Sequence, residues 1–211
     1  MPRTRIKICG LRDADSLAAA VEAGADAVGF NLIRESPRFI EPEEATELMY
    51  MLPPMVTAIG IVRNLSVDQY CEMEARFPAP IMQLHGTEPE KVVASCGPGV
   101  IKAVQFHPQT IDADLKRWND LDEVDAILID GSAGGEGKAF DWNALASKLE
   151  QVDKPIFLAG GLTPDNVGDA IRAIRPYAVD VASGVESSPG VKDPAKIEAF
   201  CRAVAQANLS A

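Results

Sequence analysis

Two proton-transfer groups stand in similar local settings in this chain. Cys9 ends the short run RIKIC and Asp130 ends DAILID, and each is followed at once by glycine. A thiolate accepts a proton when nearby cations or hydrogen-bond donors favour the ionised form, and a carboxylic acid donates one when its surroundings favour the neutral form. Together they could act on a small substrate as base and acid from opposite sides. His85 in QLHG could bind a substrate oxygen, and Arg38 in SPRFI carries the planar fork that suits a carboxylate. Gly160-Gly161 in AGGLTPDNV and Ser183-Gly184 in ASGVESSPG offer bare backbone N–H groups to an anion such as phosphate. Each has a plainer reading as a buried thiol, a turn aspartate, a packed histidine, a solvated arginine or a tight-turn glycine. Spacing alone leaves both sets open.

The elements that would position these residues are legible in the hydrophobic pattern. Eight apolar, β-branched runs recur, namely RIKIC, AVGFNL, VTAIGIV, IMQLH, VIKAVQF, DAILID, PIFLAG and YAVDVAS. They read as near-continuous apolar segments, as strands of a parallel sheet covered on both faces do. Helical periodicity fills the intervals, as in DADSLAAAVEAG, where Gly24 predicts the stop. Start signals accompany it. Ser66 with Gln69 and Thr87 with Glu90 have capping-box spacing, Thr163-Pro164 and Asp193-Pro194 pair an N-cap with a first-turn proline, and Asp141 caps a helix with Phe140 and Leu145 as a staple. Strand then helix, eight times at roughly 25 residues per unit, predicts a single (β/α)8 TIM barrel spanning residues 1–211 as one domain. An open dinucleotide-binding sheet would carry G-x-G-x-x-G after its first strand, and ICGLRD does not. In a barrel the carboxyl ends of the strands converge on one mouth, so Cys9, His85, Asp130 and both glycine turns fall together, with the turns after strands seven and eight in the usual phosphate position.

The chain has 211 residues and a formal net charge of −11, which makes nucleic acid and anionic membranes poor partners. A small anionic ligand would then need the local device that the two glycine turns provide. Four scattered cysteines without a C-x-x-C pair, and two histidines, suggest neither a disulfide framework nor a zinc site. No apolar stretch reaches membrane-spanning length, and the amino terminus lacks a signal-peptide core, which predicts a cytoplasmic protein.

The segments KICGL, EAGADAVGF, SPRFI, QLHG, GGEGKAFDW, LAGGLTPDNV and RPYAVDVASGVESSPGVKD, in that order, resemble the phosphoribosylanthranilate isomerase family of tryptophan biosynthesis over essentially the whole chain. The resemblance implies an Amadori rearrangement of N-(5′-phosphoribosyl)anthranilate to 1-(2-carboxyphenylamino)-1-deoxyribulose 5-phosphate without metal or organic cofactor, in a monomer or homodimer. It assigns Asp130 as the acid that opens the furanose ring and Cys9 as the base that takes the C2′ proton. Arg38 would hold the anthranilate carboxylate, Gly160, Gly161, Ser183 and Gly184 the phosphate, and His85 and Asp180 would lie close to the substrate. The segment GSAGGEGKAF then reads as a lid. Asn31, Glu136, Ala139 and Ala182 depart from the residues more usual in the family and bear on the finer fit to substrate. A related two-phosphate sugar isomerase carries aspartate, and indoleglycerol-phosphate synthase lysine, at the first strand end, where this chain has Cys9. A phosphate-binding barrel without turnover would need neither Cys9 nor Asp130.

Overall fold

The computed structural model describes residues 3–131 and 141–209. Eight parallel strands close into a barrel: β1 (Arg5–Cys9), β2 (Ala27–Asn31), β3 (Thr57–Val62), β4 (Ile81–Leu84), β5 (Val100–Gln105), β6 (Val124–Asp130), β7 (Ile156–Ala159) and β8 (Ala178–Val181), with β8 paired to β1. A helix follows each strand: α1 (Ala14–Glu22), α2 (Pro42–Tyr50), α3 (Val67–Arg76), α4 (Glu90–Cys96), α5 (Ile111–Asn119), α6 (Trp142–Ala146), α7 (Val167–Ile174) and α8 (Pro194–Leu209). At the closure, Thr4 donates its N–H to Asn208 Oδ1 at 2.8 Å, and Asn208 Nδ2 donates to Thr4 O at 3.1 Å, tying α8 beside β1.

The near-continuous apolar runs are buried on both faces, as expected, and the two faces meet different surroundings. Outward residues such as Ile6, Ile8, Val179 and Val181 join the main core beneath the helices, while Ile59, Ile101, Ala103, Leu128 and Phe157 fill the barrel interior. Polar side chains also face inward, among them Lys7 and Cys9 on β1, Gln83 on β4, Asp130 on β6 and Asp180 on β8. Register sets Lys7 directly opposite Asp180 and brings Asp130 level with Gln105 and Ala159.

Helix starts follow local chemistry, with two corrections. The Ser66–Gln69 capping box forms in both directions, Asp141 accepts from the N–H groups of Asn143 and Ala144, and Asp193 accepts from Ala195 and Lys196 ahead of Pro194. Gly24 takes φ +94° after α1 as its stop. Thr87 and Glu90 form no box: α4 starts after Pro89, so Glu90 stands in the first helical position, and the Thr87 N–H goes to Asn64 Oδ1. Thr163 is no cap either. Asn166 Oδ1 accepts from the Thr163 N–H and Asn166 Nδ2 donates to Gly161 O, which holds residues 163–166 as a turn ahead of α7. The lid and the Glu136, Ala139 and Phe140 expectations lie outside the described residues.

One element was not foreseen. After β8 the chain makes a short 3-10 turn (Ser183–Val185) and a small antiparallel hairpin, β9 (Glu186–Ser188) and β10 (Val191–Lys192), before α8.

Candidate active site

At the carboxyl ends of the strands lies a cavity of about 1000 Å3. Cys9, Arg38, His85, Asp130, Gly160, Gly161, Asp180 and Ser183 all line it, so eight of the nine site residues expected from sequence share one space. Gly184 supports that space from the loop behind. A Cβ there would come within 1.9 Å of Leu162 O, so only glycine lets the loops after β7 and β8 pack against each other. Gly160 and Gly161 take φ +93° and +67°, backbone that favours glycine in a turn of this hand. A side chain on Gly160 would also meet Asp130 Oδ1 at 2.7 Å, so this turn and the Asp130 carboxyl group are fitted to each other.

Lys7 organises the barrel floor. It is wholly buried and donates to Gln83 Oε1 at 2.8 Å. Its Nζ lies 3.1 Å from Asp180 Oδ1, an electrostatic pairing and not a directed hydrogen bond, since Oδ1 accepts none among the described residues. Burial opposes the Lys7 charge, yet the Asp180 carboxylate and Cys9 hold its pKa above the ordinary value. Burial likewise pushes the Cys9 thiol up. Lys7, Lys192 and Arg38 pull it down without overcoming that effect, while Asp180 adds to it. The Cys9 thiol therefore sits among three cations whose pull only partly offsets its burial.

Across the mouth, Gln83 Nε2 lies 2.7 Å from His85 Nδ1, and His85 Nε2 lies 3.6 Å from Asp130 Oδ2. Arg38 reaches into the mouth from the loop after β2 and does not hang free. Its Nε and Nη2 donate to Glu186 Oε1 and Oε2 at 2.7 and 2.8 Å, a bidentate carboxylate grip. Lys192 holds Glu186 in turn, donating to its Oε1 at 3.0 Å and to Ala182 O at 2.8 Å, and Lys196 donates to Glu186 O at 2.7 Å. The grip uses one edge of the guanidinium. The Nη1 end makes no hydrogen bond among the described residues, and Arg38 lines the cavity. Its fork is thus shared, and the outer end can still take a second carboxylate.

Sequence reasoning missed Lys7, Gln83, Glu186 and Lys192. Lys7 and Gln83 carried a faint signal, each standing two residues before a recognised site residue and hence on the same face of its strand. Glu186 and Lys192 depend on the hairpin, which brings them to Arg38 in the loop after β2.

The arrangement offers a thiol among cations, a carboxyl group opposite it, an arginine end for a carboxylate, and two backbone turns for a phosphate. A model of the family described as N-(5′-phosphoribosyl)anthranilate (PRA) isomerase matches residues 6–203. An N-(5′-phosphoribosyl)anthranilate isomerase of Pseudomonas putida strain F1 is 42% identical over 212 residues, covering 98% of this chain and 100% of the relative. The crystal structure of the Thermotoga maritima phosphoribosyl anthranilate isomerase superposes with TM-score 0.88 at 35% identity, covering 96% of this chain and 99% of that one. A further phosphoribosyl anthranilate isomerase structure, in complex with reduced 1-(o-carboxyphenylamino)-1-deoxyribulose 5-phosphate, superposes with TM-score 0.84 at 34% identity over 96% of this chain and 99% of its own. By sequence and by fold, the chain belongs to the N-(5′-phosphoribosyl)anthranilate isomerase family.

Proposed function

We infer that Cys9 is the base and Asp130 the acid with which this isomerase carries out the Amadori rearrangement of N-(5′-phosphoribosyl)anthranilate. Asp130 gives its proton to the furanose ring oxygen as the C1′–O bond breaks, leaving an iminium with its N–H in place. The Cys9 thiolate then takes the C2′ proton, and the electron pair of that C–H bond becomes the C1′–C2′ double bond of an enolamine, which tautomerises to the ketone. The enzyme is left with an Asp130 carboxylate and a Cys9 thiol, and the proton must return before the next turnover. The observation that carries the reading is that these two groups, 121 positions apart in the chain, line one cavity from β1 and β6.

In the same reading the Nη1 end of Arg38 takes the anthranilate carboxylate, and the Gly160-Gly161 and Ser183-Gly184 turns take the phosphate, with residues 1–211 as one isomerase domain. The partner is a small phosphorylated anion, bound by a cytoplasmic monomer or homodimer. Among the described residues no helix is long and apolar enough to cross a membrane.

The test follows the loss of anthranilate fluorescence with substrate generated in situ. Cys9→Ser and Asp130→Asn are each expected to lose about 10²- to 10⁴-fold in kcat while staying folded, the usual contribution of one proton-transfer group. Near-wild-type turnover in either variant would refute its assignment. A wild-type protein that binds substrate without converting it would leave only a binding barrel.

A further inference from the structure

An imidazole beside a carboxylic acid ordinarily takes its proton, because imidazole is the stronger base by roughly two pKa units. His85 stands beside Asp130, so something must prevent it from disarming the acid.

Hydrogen-bond direction supplies the answer. The Lys7 ammonium has three donors and no acceptor, so the end of Gln83 that it meets at 2.8 Å must be the carbonyl oxygen. The other end of the amide is then the NH2, which can only donate. It lies 2.7 Å from His85 Nδ1, so that nitrogen must present its lone pair. In the neutral ring the proton is therefore on Nε2, the nitrogen 3.6 Å from Asp130 Oδ2. No rotation of the amide escapes this, since turning it would set NH2 against ammonium.

We propose that Lys7, acting through Gln83, is a positioning residue that holds His85 as the neutral Nε2–H tautomer, with its one basic nitrogen turned away from Asp130 and covered. The ring cannot accept the acid's proton without breaking the Gln83 bond. Once Asp130 has delivered that proton to substrate, the Nε2–H is aimed at the new carboxylate, and the 3.6 Å gap needs only slight closure to become a hydrogen bond. The other charged groups around the ring belong to the same frame. Asp180 of β8 lies beyond Lys7, and the buried Glu88–Lys102 pair, 3.0 Å apart, stands behind Gly86.

The inference rests on Asp130 being the acid, but its test does not. Nitrogen-15 spectra of the two histidine rings, with His85 assigned by its loss in His85→Asn, read directly which nitrogen carries a proton. In the wild type, near neutral pH, His85 is expected to show a protonated Nε2 and a bare Nδ1. In Gln83→Glu the new carboxylate accepts from Lys7 and from Nδ1–H alike, so Nδ1 should carry a proton under the same conditions, with kcat reduced about 10-fold or more. A wild-type ring protonated on Nδ1, or on both nitrogens, overturns the proposal without any variant. A Gln83→Glu ring identical to wild type overturns the role of Gln83. If the tautomer is as stated but Asp130→Asn turns over normally, the lock stands and the acid assignment falls.

Discussion

Replacing Glu186 by glutamine tests whether the hairpin after β8 sets substrate recognition. Glu186 Oε1 accepts from both Arg38 Nε and Lys192 Nζ, while Oε2 accepts from Arg38 Nη2. An amide has one oxygen. Placed at Oε1 it keeps two bonds and turns NH2 against Arg38 Nη2; placed at Oε2 it keeps one and turns NH2 against two cations. The better choice still loses one charge-assisted hydrogen bond, about 1.5–3 kcal/mol, reduced because the Arg38 side chain is 18% exposed. A net loss of about 1–2 kcal/mol, with Arg38 no longer held for the substrate carboxylate, corresponds to a KM raised roughly 5- to 30-fold. Cys9 and Asp130, the proposed proton-transfer groups, keep their places, so kcat should change far less. Steady-state fluorescence gives the split, and inhibition by a reduced product analogue with and without its ring carboxylate gives the cause. The carboxylated analogue should weaken by the same factor as KM, and the analogue lacking that group hardly at all. Equal weakening of both, or an unchanged KM, would refute the reasoning.

The thiol offers a second test. Because burial pushes the Cys9 pKa up and the Lys7 charge opposes it, the thiolate fraction grows with pH and kcat/KM should rise along an alkaline limb. Lys7→Met removes the largest opposing influence, so the limb should move to higher pH; a pH profile with its limb unmoved would contradict this. Gly160→Ala should lower kcat by about 10-fold or more while leaving KM less affected, since the added methyl group needs the space of Asp130 Oδ1 and of Gly131 N, 2.4 Å away. Thermal melts alongside the kinetics separate displacement of Asp130 from unfolding, and wild-type kcat in a folded variant would refute the fit.

The strand runs were readable because β-branched apolar residues repeat at a near-constant interval and the caps at Ser66, Asp141 and Asp193 mark helix starts with their own side chains. Thr87 and Thr163 carried the same signature and misled, because Pro89 and Asn166 fix the backbone there in ways that spacing does not record. Cys9, Asp130 and the glycine turns were legible once a barrel was assumed, since strand ends must meet. Lys7 was not. A lysine inside an apolar run looks like an edge or an exception until register places Asp180 opposite it and Gln83 across the barrel. Glu186 was hidden for a different reason, since its partner Arg38 lies 148 positions away on another strand's loop.

The closure of the barrel has a kinetic side. Neighbouring strands along the chain pair over short loops, but Thr4 meets Pro176 and Asn208 across separations of 172 and 204 residues. Loop-closure entropy grows only as the logarithm of length, so this seam costs about 2 kcal/mol more than a neighbouring pair. Non-local contacts of this kind nonetheless set the pace of folding. Lys7 and Cys9 lie on one side of the seam and Asp180 on the other. A chain with seven strand pairings formed and the seam open would hold most of its core and lack the charge that opposes Lys7, so regain of activity during refolding is a clock for the last strand pairing, not for collapse.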